Sequence, residues 1–368
     1  MRIRELYFNN FRSFRGERTI SFVDSLSDTA RPVTVLAGSN GSGKTTILNA
    51  IEALLNFVVN PEEPSDFVRE AWETGLVRLT LEVSSEELGS EEGENGPKVP
   101  ILLNIAVGKT DVLPIASLAA NWENLYCRVY PSGSGKPYKR FASQVERLRK
   151  NILRMLEGER MLQGGLLYFP YERQIQPMKG GALESAPEER QWLSHFLPPS
   201  AWKGSLEQLW VWQNYLDLEK GSRNHDLLAP FVNQVEEILG SGRRITVQEG
   251  RVSVTAGWAA GQKDAQRVLL HQLPSGEQQV LLLFGELARR RRKGAVILVD
   301  EVENSLHPTL QRLVMWNLRR LAREWDAQII VATHSIEVIN TVRGGAFINL
   351  DYPESRFDLP VDGGEAAE

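Results

Sequence analysis

The sequence predicts an α/β protein with a mixed or parallel sheet, an antiparallel β subdomain and a helical insert. Two observations carry this prediction. An apolar, β-branched run at Pro32–Leu36 leads into a glycine-rich turn and then into helical periodicity over Thr46–Val58. From Leu269 onward, apolar strand-like runs alternate with amphipathic helical runs, which is typical of parallel α/β sheets.

The individual elements follow from hydrophobic period and turn residues. In chain order, the predicted strands are Ile3–Phe8, Thr19–Val23, Pro32–Leu36, Val77–Val83, Ile101–Val107, Tyr126–Tyr130, a strand in the segment LLYFPYE, a hairpin over Arg243–Ala256 that turns near Gly250, Ala295–Asp300, Gln328–Thr333 and a strand near Phe347. The predicted helices are Thr46–Val58, residues 141–162, residues 187–238, Gly276 to about Arg291, Pro308–Trp325 and one from Ile336.

Composition and charge exclude several classes of protein. With 42% hydrophobic and 24% charged residues, the chain is typical of globular proteins that build their own core. Cys127 is the only cysteine, which excludes an intrachain disulfide and a cysteine-rich zinc site. We expect a cytoplasmic protein, because neither a signal peptide nor an apolar run long enough to span a membrane is present. The net charge of -5 argues against coating of nucleic acid but allows a local basic surface.

The strongest motif is the glycine loop after Pro32–Leu36. It reads GSNGSGKT and satisfies the pattern GxxxxGK[ST] of a phosphate-binding P-loop, in the strand-to-helix context that this pattern requires. Glycines let successive backbone N–H groups point at phosphate oxygens, and the helix N-terminus adds its positive dipole end. Lys44 would then reach the β- and γ-phosphates of ATP, and Thr45 would ligate Mg²⁺. The predicted nucleotide-binding residues are Gly38, Ser39, Asn40, Gly41, Ser42, Gly43, Lys44, Thr45 and Thr46.

Two later strand ends carry groups that suit phosphate chemistry. The run AVILVDE places Asp300 and Glu301 where a strand buried on both faces emerges. Asp300 is predicted to hold Mg²⁺, and Glu301 to polarise an attacking water. The next predicted strand ends in VATHS, where His334 would sense the γ-phosphate. A histidine in this position is by itself more often structural, and the other motifs are what favour the catalytic interpretation.

A fourth segment, LPSGEQQ, opens the helix that precedes the carboxylate strand. Taken alone, Ser275 followed by Glu277 in the first turn predicts an ordinary helix N-cap. The position of the segment ahead of Asp300 favours a second role, in which Ser275 and Gly276 contact a phosphate.

These four motifs in this order resemble the ABC-type ATPases, and within them the RecF, SMC and OLD branch rather than the transporters. PSGEQQ is similar to the family signature sequence, VILVDEVENSLHP to Walker B plus the D-loop, VATHS to the H-switch, and LYFNNFRSFRG to the hairpin before the P-loop. The resemblance covers roughly residues 1–60 and 265–350 and implies an ATPase head made by both ends of the chain. The predicted domains are an N-terminal ATPase lobe with the P-loop and β subdomain (1–140), a mainly helical insert (141–262), a C-terminal ATPase lobe (263–350) and an acidic tail (351–368).

The resemblance also implies an active homodimer that holds two ATP molecules. In such heads the signature of one subunit closes over nucleotide held by the P-loop of another. Ser275 and Gly276 would therefore touch the γ-phosphate of ATP bound to a second copy, where a helix N-terminus favours an anion. The catalytic set implied is Glu301, His334, Lys44 and, from the second copy, Ser275.

Further site residues rest on the resemblance alone. The Q-loop glutamine, a metal ligand beside Thr45 and Asp300, would be Gln174, with Gln176 as the alternative. Arg12, together with the aromatic residues Phe11 and Phe14, would lie near the adenine. Ordinary packing of the hairpin explains those two aromatic residues equally well.

Departures from the relatives narrow the function. The segment between Thr45 and Ser275 is too short for the coiled-coil arms of SMC-like proteins, and no Toprim nuclease follows His334 in this sequence. The added strands and the tryptophan-rich helices argue against a transporter ATPase. Two classes remain: an ATPase subunit that senses or regulates a separate effector protein in an assembly such as an anti-phage defence system, and a RecF-like repair factor whose ATP-bound dimer clamps DNA. The segment ENSLHP and the His334 context favour the first.

Two basic segments bear on the DNA alternative. Residues 139–154 carry six Lys and Arg residues on a predicted helix, which suits phosphate contact and a solvated face equally. Arg289–Lys293 is a run of cations at a helix end, where complementing the helix dipole is the simpler explanation. The aromatic cluster at Trp202–Tyr215 predicts a compact helical core more readily than a docking surface.

Overall fold

The computed structural model describes residues 1–89, 100–110, 125–131, 136–140, 142–173, 175, 191–196, 206–221, 228–239, 242–256, 267–342 and 346–351. The strands are β1 (Arg2–Phe11), β2 (Phe14–Ser21), β3 (Val33–Ala37), β4 (Leu76–Val83), β5 (Ile101–Thr110), β6 (Leu125–Pro131), β7 (Tyr138–Arg140), β8 (Leu166–Phe169), β9 (Leu193–His195), β10 (Arg243–Gln248), β11 (Arg251–Ala256), β12 (Arg267–Leu269), β13 (Val296–Val299), β14 (Gln328–Thr333) and β15 (Phe347–Asn349). The helices are α1 (Lys44–Val59), α2 (Asp66–Thr74), α3 (Ser143–Leu156), α4 (Leu206–Glu219), α5 (Ala229–Leu239), α6 (Ser275–Arg289), α7 (Pro308–Glu324) and α8 (Ile336–Ile339). In the described part of the chain, no helix has both the length and the apolar character needed to cross a membrane.

The central sheet has the strand order β15-β3-β14-β13-β8-β9, and all of its pairings are parallel. Every residue of β3, β13 and β14 is buried, because other elements cover both faces of the sheet. The carboxylate strand β13 therefore lies beside β14, which leads to His334. This arrangement confirms the predicted α/β class, with one parallel sheet drawn from both ends of the chain.

The two faces of the central sheet belong to different cores. On one face, Leu36, Leu298 and Ile330 pack with α1 and the antiparallel sheet. On the other face, Val35 and Ile297 pack with α4, α5, α6 and α7. Because successive strand residues point to opposite faces, each short apolar strand supplies both cores. Burial of one such side chain contributes roughly 1.5–3 kcal/mol, so the summed packing of both faces stabilises the sheet.

A second sheet confirms the predicted β subdomain. Its order is β2-β1-β4-β5-β6-β7, antiparallel except for the parallel pair β5 and β6. Gln328, fully buried at the start of β14, ties this sheet to the central one: Ile3 N–H donates to Gln328 Oε1 at 2.6 Å, and Gln328 Nε2 donates to Ile3 O at 2.8 Å. The predicted hairpin over Arg243–Ala256 is present as β10 and β11, to which β12 adds a third strand.

Parts of the element prediction need correction. The stretch 187–238 is not uniformly helical, because β9 pairs with β8 and α4 begins only at Leu206. Three residues are too few to show a strand period, and β9 depends on its neighbour for its conformation. Helix α2 was not predicted at all. Since β8 and β9 fall inside 141–262, that segment also supplies strands to the central sheet, and the domain boundaries stay a prediction.

Candidate nucleotide-binding site

The glycine loop joins the end of β3 to the start of α1, as its motif predicts. Lys44 is the first residue of α1, and Gly43 before it adopts a φ of 101°. A Cβ on Gly43 would lie 2.5 Å from Phe14 Cζ and 2.7 Å from Ser13 Oγ. Glycine is therefore required here on both conformational and steric grounds. The first turn of α1 has no acidic side chain, so its amide end favours an anion.

Lys44 bends back over the loop that precedes it. Its Nζ donates to Gly38 O at 2.8 Å and to Ser39 O at 2.9 Å, and it lies 3.4 Å from His334 Nδ1. Burial lowers the pKa of Lys44, and nearby carboxylates, led by Asp300, oppose this shift. The cation is thus held at the loop, where the β- and γ-phosphates of a nucleotide would be bound.

Thr45 and Asp300 form the pair predicted to hold Mg²⁺. Thr45 Oγ1 donates to Asp300 Oδ2 at 2.9 Å. Asp300 is 1% exposed, and its Oδ1 is buried without a hydrogen-bond partner among the described residues. Burial raises the pKa of Asp300, and the bond from Thr45 opposes the rise. A hydroxyl beside a buried carboxylate with an unpartnered oxygen fits Mg²⁺, which takes one or two carboxylates and completes its shell with phosphates and water. The other predicted ligand, Gln174, and its alternative Gln176 lie outside the described residues.

Glu301 and His334 lie side by side at the ends of β13 and β14. His334 Nε2 is 3.6 Å from Glu301 Oε1, and the side chains are 33% and 39% exposed, so both can reach a bound ligand. The backbone N–H of His334 donates to Glu303. Glu301 adopts a φ of 45°, in the left-handed region. Such a conformation costs a non-glycine residue on the order of 1–3 kcal/mol and persists only where surrounding contacts enforce it.

Ser275 and Gly276 begin α6. The predicted N-cap role of Ser275 is wrong, because Pro274 occupies the cap position and no side chain caps the helix. Ser275 is exposed, and among the described residues no hydrogen bond joins it to the glycine loop of its own chain. Gly276 lies close to the turn that follows β13: a Cβ there would come within 2.6 Å of Ser305 O. The helix therefore presents its first turn at the surface, next to the carboxylate strand.

Arg12 and its aromatic neighbours belong to the hairpin of β1 and β2. Phe11 is fully buried, and Phe14 stacks on Phe8 with ring centroids 4.2 Å apart. These rings therefore serve packing of the hairpin. Arg12 pairs with Glu70, with Nη2 at 2.7 Å from Oε2. Contact between Arg12 and an adenine stays a prediction.

Two residues at the site were not predicted. Asp351 follows β15, and its carboxylate accepts hydrogen bonds from Ser39 N–H, at 2.8 and 2.9 Å, and from Ser39 Oγ, at 2.7 Å. These bonds hold the pKa of Asp351 below its usual value. Arg173 is buried and donates to the backbone carbonyls of Asp300 and Glu301. Both contacts span more than 100 residues of sequence, 312 and 127 respectively, so no local pattern marks them.

The predicted basic helix exists as α3. Arg147, Lys150 and Arg154 are exposed on it, while Val145 and Leu148 are buried. The helix is thus amphipathic, with its cations on the solvent side. This geometry suits a solvated face and a phosphate-binding face equally, as the sequence suggested.

The basic run at the end of α6 is used within the fold. Arg289 and Arg290 both pair with Glu286, and Arg292 is buried and donates to Gln191 O at 2.8 Å. Of the aromatic cluster, Trp210 is fully buried, which agrees with a helical core, and Trp202 lies outside the described residues.

Two protein families match separate parts of the chain. Residues 5–110 match a family described as "AAA domain", and residues 207–340 match one described as "AAA domain, putative AbiEii toxin, Type IV TA system". The first match contains the glycine loop, and the second contains Ser275, Asp300 and His334. A curated relative, the phosphonates import ATP-binding protein PhnC of Lactobacillus delbrueckii subsp. bulgaricus, is 32% identical over 108 residues, which cover 26% of this chain and 41% of the relative. The match thus spans about two fifths of the length of that relative.

Solved SMC head structures are similar over most of the chain. They include the SMC head bound to the C-winged helix domain of ScpA (15% identity, TM-score 0.49, covering 95% of this chain and 94% of that one). The SMC head domain from Thermotoga maritima gives 16% identity and a TM-score of 0.45, with coverage of 95% and 94%. The third is an SMC head domain with an extended coiled coil, bound to the C-terminal domain of ScpA derived from Pyrococcus furiosus. Its sequence identity is 13% and its TM-score is 0.48, and the match covers 95% of this chain and 93% of that one. All three TM-scores are below 0.5, so no partner or activity follows from these similarities.

Three findings define a P-loop ATPase of the ABC type. They are the four motifs, the sheet edge that brings three of these motifs together, and the two family matches. Within this class, the order of the four motifs along the chain resembles that of the RecF, SMC and OLD branch.

Proposed function

We propose that this chain binds ATP with Mg²⁺ at the glycine loop and hydrolyses it. The observation that carries the proposal is the polar pair of Thr45 and Asp300. Thr45 donates to Asp300 Oδ2, while Asp300 Oδ1 is buried and has no hydrogen-bond partner among the described residues. The Asp300 carboxylate also interacts with the charge of the Lys44 ammonium. A buried carboxylate oxygen without a partner is costly unless a ligand satisfies it. Thr45 and Asp300 would hold the metal, which supplies neutralisation of phosphate charge when bound.

The residues around the γ-phosphate position have complementary roles in the proposed reaction. Glu301 accepts a hydrogen bond from a water and aligns it with the γ-phosphorus. As the water oxygen bonds to phosphorus, the bond to the bridging oxygen breaks, ADP keeps that oxygen, and the water proton passes by way of Glu301 to the released phosphate. Lys44 lies within hydrogen-bond distance of His334 Nδ1, which favours the tautomer with its proton on Nε2. His334 would then donate that proton in a hydrogen bond to a γ-phosphate oxygen.

The proposed active state is a homodimer closed around two ATP molecules. Ser275 is exposed at the N-terminus of the 15-residue α6, an arrangement that attracts an anion offered by another molecule. Ser275 and Gly276 of one copy would thus contact the γ-phosphate bound to its neighbour. Closure would depend on ATP, because only the γ-phosphate bridges the two copies.

We further propose that the ATP-dependent dimer regulates a separate effector protein. The description of the family matched by residues 207–340 includes the words "putative AbiEii toxin, Type IV TA system", which fits an ATPase that acts in a defence assembly. A RecF-like clamp on DNA is the second candidate. Such a clamp would use the exposed cations Arg147, Lys150 and Arg154 on one side of α3, because a row of cations suits a phosphate backbone.

The ATPase rate of purified protein, with and without double-stranded DNA, tests these proposals together with mass by light scattering. Glu301→Gln should abolish turnover and accumulate an ATP-bound dimer, whereas Lys44→Ala should bind no ATP. Glu63→Gln, at an exposed carboxylate outside the site, is the matched control and should behave as wild type. Hydrolysis by Glu301→Gln at the wild-type rate would refute the catalytic assignment. Strong stimulation by DNA would favour the clamp, and indifference to DNA would favour the effector subunit.

A further inference from the structure

Arg173 is a buried arginine with hydrogen bonds to three separate segments of the site. It follows β8, is 3% exposed and donates to Pro170 O, at the end of its own strand, from Nη1 at 2.8 Å. The same Nη1 donates to Asp300 O at 2.8 Å, and Nη2 donates to Glu301 O at 3.0 Å. Its Nε donates to the side chain of Gln279 on α6 at 2.7 Å. The planar guanidinium thus reaches all three segments at once, which a lysine ammonium cannot do.

The two bonds to Asp300 and Glu301 act on the backbone that carries the candidate catalytic carboxylate. Glu301 is held at a φ of 45°, a conformation that the chain does not adopt without support. Arg173 holds the carbonyl oxygen of Asp300, which precedes Glu301, and the carbonyl oxygen of Glu301 itself. It therefore limits rotation of the two peptide planes that flank the Cα of Glu301. The direction of the Glu301 side chain therefore depends on a guanidinium that does not itself contact the ligand position.

The link to α6 is reciprocal. Gln279 accepts from Arg173 Nε through Oε1, and it donates from Nε2 to Arg173 O at 2.6 Å. Gln279 is 8% exposed, so this pair is shielded from water. It lies four residues after Ser275, so the two stand one helical turn apart on the same side of α6. A shift of the first turn of α6 therefore acts on Arg173 through Gln279.

Charge supports the same arrangement. Burial lowers the pKa of Arg173 to about 10, and the carboxylates of Asp300, Glu303 and Glu301 oppose this shift. The guanidinium is thus protonated at neutral pH. It therefore donates in every one of these bonds at neutral pH.

We propose that Arg173 is a positioning residue that couples the first turn of α6 to the Glu301 carboxylate of the same chain. The inference rests on the proposed dimer, in which the first turn of α6 contacts ATP held by a second copy. Engagement of that ATP at Ser275 is then transmitted through Gln279 and Arg173 to the hydrolytic group of the other site. Each nucleotide site in the dimer thereby influences hydrolysis at its neighbour.

Gln279→Leu is the informative variant, because it removes the link to α6 and leaves the Arg173 bonds to the two carbonyls in place. Gln144→Leu is the matched control: this half-buried glutamine near the start of α3 accepts from Ser143 Oγ and belongs to none of the motif segments. The readouts are the Kd for ATP, kcat, the Hill coefficient of the ATPase reaction and the dimer fraction, the last measured in a Glu301→Gln background.

We expect Gln279→Leu to keep the Kd for ATP within about twofold of wild type and to keep the dimer, while kcat falls at least tenfold and the Hill coefficient approaches 1. Gln144→Leu should keep both the wild-type kcat and the wild-type Hill coefficient. In the second variant, Arg173→Lys, kcat should fall to a similar extent. The double variant Arg173→Lys with Gln279→Leu should have the same kcat as Arg173→Lys alone, because both substitutions break the same contact between Arg173 and Gln279.

Two results overturn the coupling. In one, wild type hydrolyses ATP and dimerises, yet Gln279→Leu retains the wild-type kcat and Hill coefficient. In the other, the effects of the two substitutions multiply, which makes them independent. Failure of the underlying proposal is recognised separately, since wild type would then form no ATP-dependent dimer and the coupling would fall with it.

Discussion

Glu52 offers a quantitative test of the packing around the nucleotide-binding helix. It lies in the middle of α1, about two turns beyond Lys44, and is half-buried. Burial raises the pKa of Glu52 to about 7 from an ordinary 4.5, and no described cation or hydrogen bond offsets that effect. Glu52→Gln keeps the shape of the side chain and removes the titration.

The magnitude follows from the difference between the folded and unfolded pKa values. Because the folded-state pKa is the higher one, folding takes up a proton between about pH 4.5 and 7, and stability falls as the pH rises through that window. Each pKa unit corresponds to about 1.4 kcal/mol, so the full penalty above pH 7 is about 3 kcal/mol. At pH 5 most of the side chain is protonated in the folded state, and the penalty is only about 1 kcal/mol.

Urea unfolding of nucleotide-free wild type and Glu52→Gln between pH 5 and pH 8 measures this difference. The glutamine variant should be more stable at every pH, by about 1 kcal/mol at pH 5 and about 3 kcal/mol at pH 8. Glu63→Gln, at an exposed carboxylate, should leave the pH profile unchanged. A stabilisation by Glu52→Gln that is the same at pH 5 and pH 8 would contradict a buried, protonated Glu52.

The remaining predictions concern the loop and the contact between the sheets. Gly43→Ala should weaken ATP binding at least tenfold in a fluorescent-nucleotide titration, because the added Cβ would lie 2.5 Å from Phe14 Cζ; unchanged affinity would mean that the loop adapts. Gln328→Leu should lower the free energy of unfolding by about 2–4 kcal/mol in urea, since it leaves both backbone groups of Ile3 without partners. Asp351→Asn should tighten ATP binding about two- to fivefold at low salt, because it removes one negative charge beside the glycine loop. This gain in affinity should be smaller at high salt, where the charge is screened. Weaker binding would show that the carboxylate of Asp351 supports the loop instead.

The sequence predicted those parts of the fold that show a local pattern. The glycine loop, the apolar strands β3, β13 and β14 and the hairpin of β10 and β11 all have their own period or turn residues, and they are found where expected. The relative positions of Asp300 and His334 followed from adjacency of parallel strands. The positions of the glycine loop, Asp300 and His334 in the fold were thus accessible from the sequence.

Other features could not be read from local pattern. Helix α2 is nine residues long, and its buried Phe67, Val68 and Ala71 offer too short an apolar stripe to stand out. Strand β9 exists because β8 supplies a partner. Arg173 and Asp351 act through contacts with residues far away in sequence, and a lone arginine or aspartate at a strand end has no distinguishing neighbours.

The geometry of the central sheet explains why distant segments meet at one site. In a parallel sheet the carboxyl ends of all strands lie along the same edge, and ligands bind there. Here β15, β3, β14, β13 and β8 are consecutive in the sheet, and they lead to Asp351, Gly38, His334, Asp300 and Arg173 respectively. A one-residue slip of any of these strands would move its contribution by about 3.3 Å and exchange its two buried faces. Because both faces are packed, such a slip is costly, and the same burial that stabilises the sheet therefore fixes the spacing of the groups around the phosphate position.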